Sequence, residues 1–262
     1  MSNLRLGYNM RIYRPGIWSL NPYLNDSNPT NISQGNSHLD SEKSHSFNLS
    51  YSNFTQKFNI NLSARYSFTN NSIEQVTEQV KDTEIEGLQN PTGKEVLYST
   101  YQNIGKSRNA SLSGYVNWNA TSNTRIYANL YGNYTYMEGA NGLKNDGWNL
   151  FAYGGAQQSL PHDWRISLNI YGQTPWIMLQ GEGSSFFDYG LSVNKSFLNK
   201  RLTLSAFASN FFKKYTSPTS SIEGVGFTQD SWNRYTRQRF GVSVSYRIGE
   251  LKASVKKAAR TI

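Results

Sequence analysis

Between Phe58 and Thr69 apolar and polar residues alternate without a break. Phe58, Ile60, Leu62, Ala64, Tyr66 and Phe68 take the even positions, and Asn59, Asn61, Ser63, Arg65, Ser67 and Thr69 the odd ones. A period of two marks an extended strand with one greasy and one polar face. The pattern returns at Leu4 to Ile12, Phe47 to Tyr51, Ala110 to Trp118, Ile126 to Tyr136 and Trp148 to Ala156. It continues at Trp164 to Ile170, Phe187 to Val193, Leu202 to Ala208 and Phe240 to Ile248, which predicts about ten strands.

Strands that hold phase for about 10 residues exceed the roughly 5 to 6 usual in a sandwich. At a tilt near 45° they span the apolar band, roughly 25 Å tall, of an outer-membrane barrel. Arg5, Arg11, Arg65, Arg125, Arg165, Arg201, Arg239 and Arg247 all keep to the polar phase. On the lipid side each would cost about 2 to 4 kcal/mol at mid-depth, so a one-residue slip is penalised repeatedly. The greasy phase mixes Gly114, Gly132 and Gly154 and Ala128, Ala152 and Ala206 with large aromatics, a combination that packs a core poorly and is harmless against fluid lipid. Trp118, Trp148 and Trp164 fall near strand ends, where an interfacial girdle places aromatics.

The expected fold is therefore all-β, an antiparallel transmembrane β-barrel. Phe58, Ile60, Leu62, Ile126, Leu130, Leu168, Leu191, Val242 and Val244 are expected to face lipid. Arg65, Arg125, Tyr127, Tyr131, Arg165 and Arg247 are expected to face the lumen. The competing architecture is a soluble or surface β-sandwich carbohydrate-binding module, in which the greasy phases would meet in a dry core.

Connections alternate in length. Short turns are expected at Thr55-Gln56, Ala120 to Ser122, Pro161 to Asp163 and around Asn199, and long irregular polar loops at 13–44, 70–95, 137–146, 173–184 and 213–233. In an outer-membrane barrel such turns are periplasmic and such loops extracellular. Residues 1–249 are read as barrel, and 250–262 as a basic periplasmic tail.

Composition changes the picture little. The 262 residues include no cysteine, 18 tyrosines and 21 glycines, which removes disulfides and thiolate metal sites. No run approaches the roughly 18 to 20 apolar residues of a spanning helix. Of the net charge of +9, Lys252, Lys256, Lys257 and Arg260 against Glu250 supply three. The remainder is scattered, without the basic stripe of a nucleic-acid surface. The opening Met1 to Tyr8 is strand-like and carries no export signal, so an exported chain is expected to have been processed or to begin inside a longer gene.

Candidate chemistry is sparse. Asp40, His45 and Ser46 share one stretch but lack a framed nucleophile. Glu74, Glu78, Asp82, Glu84 and Glu86 cluster without the spacing of a calcium loop. Triplets of the Asn-x-Ser/Thr type at Asn31, Asn48, Asn61, Asn109 and Asn133 arise from polar alternation. No catalytic residue, cofactor or metal is expected. Loop aromatics and cations, Arg14, Trp18, Tyr23, Trp176, Trp232 and Arg234, are the candidates for contact with a small-molecule or glycan ligand.

Arg14-Pro15, Leu20-Asn21-Pro22, Asn28-Pro29, Ile32, Gly35-Asn36, Leu39 and Glu42 resemble the loop before the late strands of TonB-dependent outer-membrane receptors. Asn103 to Ser107 is similar to that family's start of the next strand, and Phe240 to Lys257 resembles the ending of its outer-membrane β-barrel branch. The chain departs from the family loop at Ser37 and Ser41, where prolines are common. The resemblance implies ligand uptake across a Gram-negative outer membrane by the C-terminal part of a barrel of about 22 strands. It also implies that the plug and the TonB-contacting segment are missing here, and that the missing N-terminal barrel half and plug would act as partners, alongside membrane lipid.

Overall fold

The structure is a computed structural model that describes residues 2–139 and 142–249. Ten long strands form one sheet in which each pairs antiparallel with its predecessor: β1 (Ser2–Tyr13), β2 (Glu42–Phe54), β3 (Phe58–Thr69), β4 (Lys106–Asn119), β5 (Thr124–Glu138), β6 (Lys144–Leu160), β7 (Trp164–Gln173), β8 (Phe186–Phe197), β9 (Leu202–Ser209) and β10 (Arg239–Tyr246). β1 and β10 do not pair, so the sheet is an open wall. The expected tail at 250–262 lies outside the described residues.

Register keeps the two phases apart over the whole wall. Leu62 lies opposite Gly114, Gly114 opposite Leu130 and Leu130 opposite Ala152. Leu168 pairs with Ala156 and Leu191, and Val244 with Leu204. Because side chains alternate across a strand, one face is apolar from edge to edge and the other polar. That apolar face is uncovered: Leu62 is 45%, Leu130 58% and Val244 67% exposed. The buried apolar residues among the described residues, Ile32, Leu39, Val76, Ile85, Val96, Ile104 and Leu179, all lie outside the ten wall strands. A sandwich needs the opposite distribution.

The arginine rule has an exception. β4 starts earlier than its alternation indicated, and Arg108 sits on the apolar phase, opposite Phe68 and Tyr136. It lies at the loop end of the strand, where its guanidinium stacks 5.3 Å from the centre of the Phe68 ring and donates to the carbonyls of Thr69 and Ser107 and to Asn70. A cation at the margin of an apolar band costs little. Arg201 and Arg247 fall just beyond strand ends, joined through backbone N–H of Arg247 and the carbonyl of Arg201 at 2.8 Å.

The short turns gather at one rim and the long loops at the other, with residues 198–201 in a turn where Leu198, Asn199 and Lys200 all adopt positive φ. The long loops are more ordered than the irregular segments expected. Strands Leu24–Asn28, Asn31–Gln34, Glu95–Asn103 and Ile73–Lys81 make one small sheet joining the first two loops. Ile177–Met178, Gly181–Glu182, Thr219–Gly224 and Phe227–Trp232 make another joining the last two. A side-chain amide stitches the sheets together: Gln180 accepts from the Thr77 N–H at 2.7 Å and donates to the Thr77 carbonyl at 2.8 Å. Asn31 and Gln229 add a bond of 3.1 Å.

This lid rests on the polar face. Asn145 donates to the carbonyls of Met178 and Gly181, and Asn149 to those of Thr174 and Pro175. Leu179 packs with Val76 and Ile104, supported by Met137 and Leu143. Loop backbone carbonyls are thereby satisfied by wall amides, as buried polar groups require.

Candidate functional site

On the polar face, aromatic rings from four adjacent strands form a ladder. Tyr127 on β5 lies 5.7 Å from Tyr153 on β6, Tyr153 lies 6.3 Å from Tyr171 on β7, and Tyr171 lies 4.9 Å from Phe186 on β8. Phe151 joins at 5.3 Å from Tyr171. The separations suit tilted and edge-to-face contacts. Both ends carry a guanidinium: Arg125 stands 5.7 Å from the Tyr127 ring centre and Arg237 5.1 Å from that of Phe186. Cations favour such positions because ring faces are electronegative.

At the loop end the ladder opens into a basin of about 440 Å³ lined by Tyr171, Asp188, Asn210, Tyr235, Arg237 and Arg239, among others. An adjoining cavity of about 900 Å³ continues between the wall and the Ser217 to Thr219 segment. Asn210 organises the basin. In a left-handed conformation with φ 49°, tolerated by Asn better than by most residues, it accepts from the Tyr189 N–H at 3.1 Å and donates to Asp188 at 2.7 Å. Asp188 also pairs with Arg237, whose other amino group donates to the Tyr235 hydroxyl at 3.0 Å. Asp188 is thus committed, while Arg239 adds positive charge, and a negatively charged or hydroxyl-rich guest matches what remains.

The loop residues singled out by type are not brought together here. Trp18 is 85% exposed on the one-turn helix Ile17–Leu20, and Arg14 and Tyr23 flank it, also exposed. Trp176 lies against Gly183, where a β-carbon would collide with its ring. Trp232 pairs with Thr219, and Arg234 stands 4.2 Å from the Tyr215 ring centre. Of the polar-phase residues, Arg65 sits between Asn48 and Ser111, Tyr131 between Ser113 and Phe151, and Arg165 between Ser159 and Asn194. Sequence reasoning missed Asp188, Asn210 and Arg237. The available signal was Asp188, a carboxylate on the polar phase of a long strand.

Other candidates resolve into structure. His45 and Ser46 point to opposite faces: His45 stacks 4.9 Å from Phe68 and bonds the Tyr8 hydroxyl, whereas buried Ser46 donates to Asn9. They cannot act on one substrate. Asp82 accepts from the N–H and hydroxyl of Thr92 and the N–H of Gly93, bonds that hold its carboxyl below the usual range. Glu74 is pushed up by burial, with the neighbouring Glu42 adding repulsion against the opposing bond from Ser72. No three His, Asp or Glu side chains among the described residues are placed to hold a metal. Asn109 and Asn133 are spent in a wall network with Thr135.

Residues 1–246 match the outer membrane protein beta-barrel family. The chain belongs to that family. No curated protein matches the sequence. Among solved structures, the wall resembles TonB-dependent receptors. The copper transporter OprC aligns at TM-score 0.62 and 14% identity over 94% of this chain and 37% of its own. The ferric enterobactin receptor PfeA of Pseudomonas aeruginosa, in complex with BCV-L6, gives 0.63 and 16% over 94% and 38%. The siderophore receptor PirA of the same organism gives 0.57 and 16% over 94% and 40%. The chain thus spans well under half the length of the structures it matches. It is an outer-membrane β-barrel protein with the receptor fold.

Proposed function

We propose that this chain forms part of the wall and the external lid of a TonB-dependent receptor-like importer, which carries a nutrient ligand across the outer membrane without doing chemistry on it. The apolar face meets lipid through Phe58, Ile60, Leu62, Ile126, Leu130, Leu168, Leu191, Val242 and Val244. The polar face, with Arg65, Arg125, Tyr127, Tyr131 and Arg165, lines a wet interior. Long loops stand outside the cell and short turns in the periplasm, on the side where Arg247 follows β10. The observation that carries this reading is the aromatic ladder on the lidded face, ending at the Asp188–Arg237 basin. Rings at steps of 4.9 to 6.3 Å offer successive stacking surfaces to a glycan or a flat chelate, while exposed Arg14, Trp18, Tyr23 and Trp232 make first contact. The unpaired edges of β1 and β10 require further wall strands, since lipid satisfies no backbone group, and a plug domain fits the polar interior.

The test is made in the host. The double variant Tyr153→Ala/Tyr171→Ala is compared with gene deletion and wild type for energised uptake of iron chelates, copper and oligosaccharides. The reading expects one nutrient whose uptake falls in both strains. If uptake of none falls on deletion, or if the protein fractionates as soluble, the reading fails.

A further inference from the structure

At the loop end, the apolar face is graded in rows. An aliphatic row, Leu6, Leu49, Ala64, Leu112, Gly132 and Leu150, is followed toward the loops by Tyr8, Phe47, Tyr66, Ala110, Tyr134 and Trp148. Then come Met10, His45, Phe68, Arg108, Tyr136 and Asp146, and last Ile12 and Lys43 on one side and Lys106, Glu138 and Lys144 on the other. Apolar, aromatic and charged chemistry succeed one another at about 7 Å per row along the strands, the order found at a membrane–water boundary.

The charged rows are unequal in sign. Lys43, Lys106, Arg108 and Lys144 face only Glu138 and Asp146. Glu138 lies 3.8 Å from Lys106 and 3.4 Å from Lys144, gathering the two exposed lysines, and Asp146 accepts the Tyr134 hydroxyl at 2.6 Å. Arg108 is held against the sheet by Phe68, Thr69, Ser107 and Asn70. Those bonds engage Nη1 and Nη2 and none engages Nε, which leaves the Nε–H to donate to a phosphate oxygen. β4 and β6 are two strands apart, about 10 Å, so Lys106, Arg108 and Lys144 converge on one headgroup. At the turn rim, Lys195 is the cation of the apolar phase among the described residues, and it lies 5.3 Å from the ring centres of Trp164 and Phe197.

We propose that Lys106, Arg108 and Lys144 form a binding site for the phosphate of an anionic lipid headgroup at the external rim of the wall. A lipid reaches it because the side chains project from the same face as the aromatic row just below. Bound there, it anchors the depth of the wall. The proposal rests on the apolar face meeting lipid, and the test separates the two ideas.

Delipidated protein in detergent is given equimolar phosphatidylglycerol and phosphatidylcholine, and retained lipid is counted by native mass spectrometry. Wild type is expected to favour phosphatidylglycerol. Each cation removed should cut the preference about fivefold, so that Lys106→Gln/Arg108→Gln/Lys144→Gln abolishes it while Lys195→Gln leaves it intact. Should the triple variant not fold by circular dichroism, Arg108→Lys with Lys144→Gln serves instead, since it keeps a charge but loses the Nε–H. Equal retention of both lipids by wild type overturns the site alone. Retention of neither overturns the lipid face as well. Displacement of the bound lipid by millimolar inorganic phosphate would make it a soluble-anion site and overturn the headgroup assignment.

Discussion

Replacing Leu130 by Arg probes the wall at its most sensitive depth. Leu130 lies six residues from Tyr136 at the loop rim and six from Thr124 at the turn rim of β5. At about 3.3 Å per residue and a tilt near 40°, it is about 15 Å from either margin, the middle of the band. Its row neighbours are Gly114 and Ala152, so its side chain is 58% exposed on the apolar face. An arginine there is expected to cost about 2 to 4 kcal/mol, a shift of roughly 30- to 900-fold in the folding equilibrium. Ala110→Arg, one row from Arg108, should cost about 0 to 1 kcal/mol because the guanidinium reaches the headgroups. Tyr131→Arg, next to Leu130 but on the polar face between Ser113 and Phe151, should stay within about 1 kcal/mol. The assay is urea unfolding from phosphatidylcholine vesicles, followed by tryptophan fluorescence. Equal costs for Leu130→Arg and Tyr131→Arg, or no dependence on depth, would refute the reasoning.

Three further outcomes are expected. Gly105→Ala should unpair the loop end of β4 from β5, because φ is +65° and the new methyl would lie 1.4 Å from the Glu138 carbonyl oxygen; loss of heat-modifiable electrophoretic mobility would report it. Asn210→Ala should loosen the basin by about 1 to 3 kcal/mol through three lost side-chain bonds, to Tyr189, Asp188 and the Arg237 carbonyl, and a left-handed backbone, seen as faster amide exchange at Tyr189 and unchanged exchange in β5. The raised pKa of Glu74 means the hairpin is most stable with that carboxyl protonated and loses stability as pH rises through the folded value; hydrogen exchange over 73–81, corrected for intrinsic rate, should show this in wild type and not in Glu74→Gln.

The wall was legible because lipid leaves a plain trace. Every second residue must be apolar over a long strand, so Phe58 to Thr69 and Ile126 to Tyr136 announce both strand and face. The lid was not legible. In Ile73–Lys81 the apolar residues are Ile73, Val76 and Val80, a spacing nearer to a helix than a strand, and its partner, Glu95–Asn103, is itself paired on the other side with the parallel strand Asn31–Gln34. Tyr127, Tyr131, Tyr153 and Tyr171 share the polar parity of their strands. What sequence lacks is the stagger that turns those parities into touching rings. Asp188 and Arg237 are 49 residues apart and meet only because the last long loop folds back over β8.

The sidedness of the wall is tested most directly by spin labels, which the absence of native cysteine makes simple. Single cysteines at Leu62, Leu130 and Val244, and at their neighbours Asn61, Asn129 and Ser243, would be labelled in vesicles and their collision with oxygen compared with that of a water-soluble nickel chelate. The first three should favour oxygen and the second three nickel. Reversed preferences, or the same preference at all six, would contradict an apolar face turned to acyl chains.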